Sequence, residues 1–487
     1  MTNELIAPQQ TATTSQSTAP AGLTHAIDIA NRAMRDVPAY AAHLRAHGDP
    51  GSAVDGSARF AALPPTTKAD YLRQYPVQEL MWHGDIGAAG TWSASSGSSG
   101  SPTFVPRDTV ALADCVDAHE RVFRDAFGTH TRSTLVVVCF AMGTWIGGTY
   151  TYQAVLGLRD RGHRLSVITP GIKVDAAVQV LAELGPRYEQ VVLAGYPPSI
   201  KDVLDQAPES ALDQDIKILL AGEAITESWR DHVLNRIGRP ASPERVCLIY
   251  GTAEAGVMGH ETALTTDIRR RAAADAHLGT ELFGDDQTRQ PTFVRFDPER
   301  RYTEVDDDGF LLFTSDSSLP LIRYRINDQG TVLSGVQLRR IVSGCGHEDL
   351  GERIDPADGF LVLAGRPDVA AQFYGLNIYA GDLQEAFDAD DVIGQVTGRF
   401  VIDPALDANS DQILVIAVEL ADSGEYSGDL YRALAARCLA ALTTNNAEFR
   451  ELRGEYGERT RPRIRFHAHA TGPFVPGKPK NAHIRTH

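Results

Sequence analysis

The run TLVVVCF, residues 134–140, decides the fold class. Six apolar residues follow Thr134 without the polar alternation of a half-solvated strand, so the segment reads as a strand covered on both faces. QVVLAGY (190–196), IKILLAG (216–222) and RVCLIYG (245–251) share that character. Between them, DAAVQVLAELG (175–185) and TESWRDHVLNRIG (226–238) space their apolar residues as helices do, and each ends at glycine. Strand, helix, strand alternation predicts a parallel sheet covered by helices, with ligands at the carboxyl ends of the strands.

The pattern shifts after Phe310. GFLLFTSD, LIRYRIND and GFLVLAGRPD read as shorter strands joined by turns. Beyond Asp368, strand-like QILVIAVEL (412–420), helical DLYRALAARCLAALTTN (429–445) and alternating RIRFHAHA (463–470) form a compact mixed unit. PQQTATTSQSTAPAG (8–22) has almost nothing to bury and reads as a disordered leader. The expected architecture is α/β: a leader over 1–24, a large N-terminal domain over 25–365 with parallel-rich sheets and covering helices, and a small mobile α+β C-terminal domain over 366–487, the boundary falling near Gly365 to Asp368.

Composition narrows the function classes. The chain has 487 residues, 43% of them hydrophobic and 22% charged, with a net charge of −17. Nucleic acid and anionic membrane surfaces call for a basic surface, so neither is an expected partner. The five cysteines, Cys115, Cys139, Cys247, Cys345 and Cys438, are odd in number and scattered, and Cys139 and Cys247 sit in apolar runs. That is the usage of a reducing cytoplasm, not of a disulfide framework. The sequence shows neither a secretion signal nor an apolar run long enough to span a bilayer.

TWSASSGSSGSPTFVPRD (91–108) admits two readings. Serine and glycine in this density make flexible linkers. The same residues let backbone N–H groups and hydroxyls converge on an oxyanion, and the short length, apolar flanks and Pro102 favour that. No Walker loop is present.

Eight segments in register give the stretch a context: LPPTTKADYLRQYP (63–76), SSGSSGSPT (95–103), FAMGTWIGG (140–148), LLAGEAITESWR (219–230), YGTAEAG (250–256), IRYRIND (322–328), GRPD (365–368) and YGLNIYAGDLQEAF (374–387). In this order they resemble the adenylate-forming enzymes, specifically the phenylacetate-CoA ligase branch, over almost all of residues 60–487. The resemblance implies that a carboxylate attacks the α-phosphorus of ATP, expels pyrophosphate and leaves an acyl-adenylate. Both reactants are anions, so positioning and charge neutralisation carry the catalysis.

By that resemblance Ser95, Ser96, Gly97, Ser98, Ser99 and Gly100 close over the β- and γ-phosphates, with Ser101 where the family has lysine. Gly222 and Glu223 match the segment against adenine, although Glu223 also suits a helix start. In YGTAEAG, Tyr250 and Gly251 lie by adenine and Glu254 holds Mg²⁺, while Ala253 replaces the family's threonine. Asp328 matches the ribose-binding aspartate, against the alternative of a solvated turn in N-D-Q-G. Arg366 matches the ribose- and phosphate-facing arginine and Asp368 the hinge. In GPFVPGKPKNAHIRTH (472–487), Lys478 matches the lysine that reaches the α-phosphate and carboxylate, with Lys480 the runner-up.

For the second half-reaction, Gly375 matches a position beside the pantetheine arm of CoA, and Met142, Gly143, Trp145 and Gly147 fall near the acyl pocket, where an aromatic wall suits an aromatic or otherwise apolar acid. Cys345 and His347 are too few for a zinc site, and His467 and His469 read as one solvated strand face. The expected function is ATP- and Mg²⁺-dependent activation of a carboxylic acid, followed by transfer to CoA. An amide-forming ligase that uses an amine, and a nucleotide-binding homologue without catalysis, are the alternatives. The oligomeric state is left open, a dimer included.

Overall fold

The computed structural model describes residues 22–95, 103–284, 291–365, 371–383, 386, 387, 392, 395–421, 424 and 426–474. Its centre is one twelve-stranded sheet. Leu165–Ile168, Thr134–Val138, Gln190–Gly195, Ile216–Ala221 and Val246–Thr252 lie side by side in that order, all parallel. Every residue of Thr134–Val138 and Gln190–Gly195 is buried, the result of covering both faces with helices. Val174–Glu183 and Glu227–Arg236 lie in the crossovers of this half, the second capped by the Thr226 hydroxyl accepting from Trp229 N at 3.1 Å.

From Val246–Thr252 onward the sheet becomes antiparallel. Gly256–His260, Thr292–Phe296, Gly359–Gly365, Leu321–Ser334, Phe310–Ser315 and Tyr302–Val305 continue it to the far edge. One alternative reading fails here, and one expected strand ends early in the C-terminal unit. N-D-Q-G (327–330) makes no turn: it stays inside the 14-residue strand Leu321–Ser334, with Asn327 at φ 64° and a register shift after Gln329 absorbing the strain. The strand begun by RIRFHAHA stops at His467, because the chain turns between Ala468 and Thr471 with Ala470 at φ 55°; His469 therefore lies beyond it.

A separate three-stranded sheet, Val396–Leu406, Gln412–Leu420 and Arg463–His467, packs under the helices Gly428–Asn445 and Ala447–Tyr456 and has its own apolar core. A hairpin, Ala371–Phe373 paired with Leu376–Ile378, belongs to the same core and projects toward the large sheet. Both residues at its tip, Tyr374 and Gly375, have positive φ, the combination required by a two-residue type I′ turn. No helix among the described residues is long and apolar enough to cross a membrane.

Candidate active site

The carboxyl end of Val246–Thr252 is where the parallel sheet turns antiparallel, and the chain reverses there through Ala253, Glu254 and Ala255. Arg107 holds this reversal. Its buried guanidinium donates to the carbonyls of Ala253 and Glu254 and lies 5.3 Å from the Tyr150 ring centre. Glu254 is thus a buried carboxylate on a fixed turn.

Its counter-ion comes from far away in sequence. Thr66–Thr67 joins the sheet edge parallel to Tyr324 and Arg325, and a wide helical turn over Lys68–Leu72 follows. The Thr67 hydroxyl accepts from Asp70 N at 3.1 Å while Asp70 accepts from Thr67 N at 2.8 Å, which sets the direction of that turn. Lys68 Nζ then lies 3.0 Å from Glu254 Oε1 and donates to Ser95 Oγ at 2.7 Å. Ser95 ends the first strand of the hairpin Thr91–Ser95 and Thr103–Arg107. One cation therefore joins the start of the Ser/Gly stretch to the acidic turn.

Next to it, the Tyr250 hydroxyl donates to Asp328 Oδ2 at 2.5 Å, so two residues 78 positions apart meet across the sheet. Asp328 is buried. The hairpin tip closes the other side. Gly375 N donates to Glu223 Oε1, Gln412 Nε2 donates to Glu223 Oε2 at 2.9 Å, and Gln372 Nε2 donates to the Gly222 carbonyl at 2.8 Å. A Cβ on Gly375 would fall 2.3–2.6 Å from ring carbons of Tyr196, and one on Gly222 2.8 Å from the same ring. Glycine at both positions is what lets the hairpin close on the sheet.

These elements surround a cavity of about 540 Å³, a size suited to a nucleotide-sized ligand. Ser95, Trp145, Gly147, Gly222, Gly251, Glu254 and Gly375 line it. Met142, Gly143, Glu223, Tyr250 and Asp328 do not; Met142 packs instead beside Phe140 and the other apolar residues under the sheet. Of the three histidines considered for a metal site or a solvated face, His347 lies 2.9 Å from Asp275, His469 3.7 Å from Glu419, and the His467 ring 5.8 Å from that of Phe474. His119, also on the cavity wall, is held neutral, since burial pushes its pKa down to about 4.

No protein-family model matches the sequence, and no curated protein matches it. Among solved structures the chain is similar to a 2-hydroxyisobutyryl-CoA ligase in complex with 2-HIB-AMP and CoA in the thioesterification state, at 16% identity and a TM-score of 0.61 over 95% of this chain and 89% of that one. The chain shares the fold of that ligase. An open conformation of the same ligase with the same ligands gives a TM-score of 0.52 over 95% and 90% of the two chains, and its postadenylation state with R3-HIB-AMP gives 0.52 over 92% and 85%, both at 16% identity.

Ser96, Gly97, Ser98, Ser99, Gly100, Ser101, Arg366, Asp368, Lys478, Lys480 and the leader as far as residue 21 lie outside the described residues. The structure adds residues the sequence did not single out. Lys68 was quoted within a matching segment without a role, and only the sheet pairing of Thr66–Thr67 brings it to Glu254. Thr252 lines the cavity one position before Ala253, its hydroxyl accepting from Ala255 N at 3.1 Å. Arg73 and Arg325 supply further positive charge, and Glu448 and Glu451 supply negative charge from the C-terminal helix Ala447–Tyr456. A charge census within the matching segments would have found Lys68; nothing local marks Glu448.

Proposed function

We propose that the chain is an ATP-dependent, AMP-forming carboxylate ligase that activates a carboxylic acid, aromatic or otherwise apolar, as an acyl-adenylate. The observation that carries this reading is the Lys68, Glu254 and Ser95 cluster, set in a cavity closed by the Gly375 hairpin and flanked by the Tyr250–Asp328 pair. Attack of one anion on another needs positive charge at the phosphates. Lys68 supplies it where Ser101 cannot, and Thr252 offers the hydroxyl that Ala253 lacks.

Glu254 fits a magnesium ion: it is a buried hard-oxygen donor, and an ammonium already lies 3.0 Å from it. When bound there, Mg²⁺ would neutralise phosphate charge. The remaining assignments follow the sequence resemblance. Ser95 to Gly100 close over the β- and γ-phosphates, Tyr250 and Gly251 contact adenine, and Asp328 and Arg366 hold the ribose. Trp145 borders the acid, and Lys478 bridges the carboxylate and the α-phosphate. Asp368 is the pivot between a domain ending at residue 365 and one over 366–487, the first of which already includes the helix Leu23–Asp36 with Leu23 in its core, so that the expected leader over 1–24 ends earlier; the cytoplasm is the site of action. Gly222 and Glu223, besides facing adenine, dock the hairpin that carries Gly375.

In the second half-reaction the acyl group passes to a nucleophile entering along the wall made by residues 372–379 and 448–452. CoA is the acceptor that the phenylacetate-CoA ligase resemblance implies. An amine is the second reading, favoured by Glu448 and Glu451 on that wall. Acid-dependent exchange of labelled pyrophosphate into ATP tests the first half-reaction; no exchange across a broad acid panel overturns it.

A further inference from the structure

The cavity is electrostatically two-sided. Its lining cations, Lys68, Arg73 and Arg325, all belong to the large sheet and its approaches, where Glu254, paired with Lys68, is the one lining carboxylate among the described residues. Among the described residues from 371 onward that line it, the charged ones are Glu448 and Glu451. Asn446 fixes their helix: its Oδ1 accepts from Phe449 N at 3.0 Å and its Nδ2 donates to the Asn377 carbonyl at 3.0 Å and to Asp382 Oδ2 at 2.9 Å. Positions 448, 451 and 452 then share one helix face, turned to the cavity. Glu451 Oε2 accepts from Trp145 Nε1 at 3.4 Å.

We propose that the acceptor is a primary amine and that Glu448 is the general base of the transfer step. The inference rests on the carboxylate-ligase reading. CoA carries several phosphate charges, which a wall bearing Glu448 and Glu451 repels, whereas an ammonium is drawn to it. The bound ammonium first gives one proton to water and reacts as its free base: its lone pair forms the C–N bond to the acyl carbon, the C–O bond to the AMP phosphate breaks with its electron pair leaving on AMP, and the second proton passes from nitrogen to the Glu448 carboxylate and on to water. Burial moves Glu448 up to about 7, with Lys68 acting to lower it and Asp382 and Glu451 to raise it, and the half-buried Tyr196 faces it from the sheet side. Such a group is matched to proton transfer near neutrality.

The full-length enzyme would be given ATP, Mg²⁺ and the acid that best supports pyrophosphate exchange, with methylamine, benzylamine, 1,4-diaminobutane or CoA, and the products weighed by mass spectrometry. Amide should form with at least one amine at least tenfold faster than acyl-CoA, at a rate that rises through pH about 7. Glu448→Gln should slow transfer by roughly 10²-fold or more, by far more than it slows exchange, and flatten the pH rise, while Glu448→Asp recovers part of the rate. Faster acyl-CoA than amide formation, or transfer by Glu448→Gln at the wild-type rate, overturns this inference alone. Absence of exchange in the wild type overturns the ligase reading and this inference together.

Discussion

Glu261→Gln tests the framework that holds the acidic turn. Glu261 is buried at the end of Gly256–His260 and accepts from Arg230 Nη2 at 2.8 and 2.9 Å, from Arg269 Nη1 at 2.8 Å and from Leu248 N at 3.1 Å. Both arginine side chains are fully buried, at 0% exposure, so the carboxylate is their principal compensation. A second carboxylate, Glu227, lies 3.1 Å from Arg230 Nε and 3.2 Å from Arg269 Nη1. Neutralising one member of a buried ion cluster costs about 3–5 kcal/mol, because charge is left in a low-dielectric interior. Glu227 puts the expected loss at the lower end of that range. Unfolding entropy of about 2.1 cal/mol/K per residue over the roughly 340 residues of the larger unit gives ~0.7 kcal/mol/K, so a loss of about 3 kcal/mol lowers the Tm by about 4 °C. Urea denaturation followed by the fluorescence of buried Trp229, on the same helix as Arg230, measures the loss. The combination Arg230→Met, Glu261→Leu, Arg269→Met should return stability to the wild-type value or above. A change below about 1 kcal/mol for Glu261→Gln would refute the reasoning, since the cluster would then be hydrated or self-compensating.

Lys68→Ala should lower acid-dependent pyrophosphate exchange by roughly 10²- to 10³-fold, the cost of one preorganised charge; an unchanged rate removes Lys68 from the phosphate site. Lys478→Ala should lower exchange by a similar factor of roughly 10²- to 10³-fold while leaving ATP binding by calorimetry largely intact, and damage by Lys480→Ala instead would shift the assignment by two residues. Gly375→Ala adds a Cβ 2.3 Å from the Tyr196 ring at φ 80°, so single-turnover transfer should fall further than adenylate formation does. Glu448 and Asp202, raised by burial to about 7 and about 6, favour the fold while protonated and lose that contribution as pH rises through those values. The urea midpoint should therefore decline between pH 5 and 8.5, and decline less in Glu448→Gln.

The parallel half of the sheet was legible from TLVVVCF, QVVLAGY, IKILLAG and RVCLIYG because burial on both faces leaves an unbroken apolar run, a local signal. Gln412–Leu420 was read to the residue for the same reason. The turn held as the alternative for N-D-Q-G does not form because local turn chemistry is outweighed by pairing on both sides of Leu321–Ser334, and RIRFHAHA overran because alternation continues past the point where the backbone turns. Residue types and their order along the chain were thus sufficient for the fold class and for Glu254, Tyr250, Asp328 and Gly375 as candidates. Tertiary structure alone decided that Lys68 faces Glu254, that Tyr250 meets Asp328, and that Glu448 looks into the same cavity as Ser95. A one-dimensional pattern reports which face of an element is buried; the distance between charges on separate elements depends on strand order and on how the C-terminal unit packs, and no local spacing encodes either.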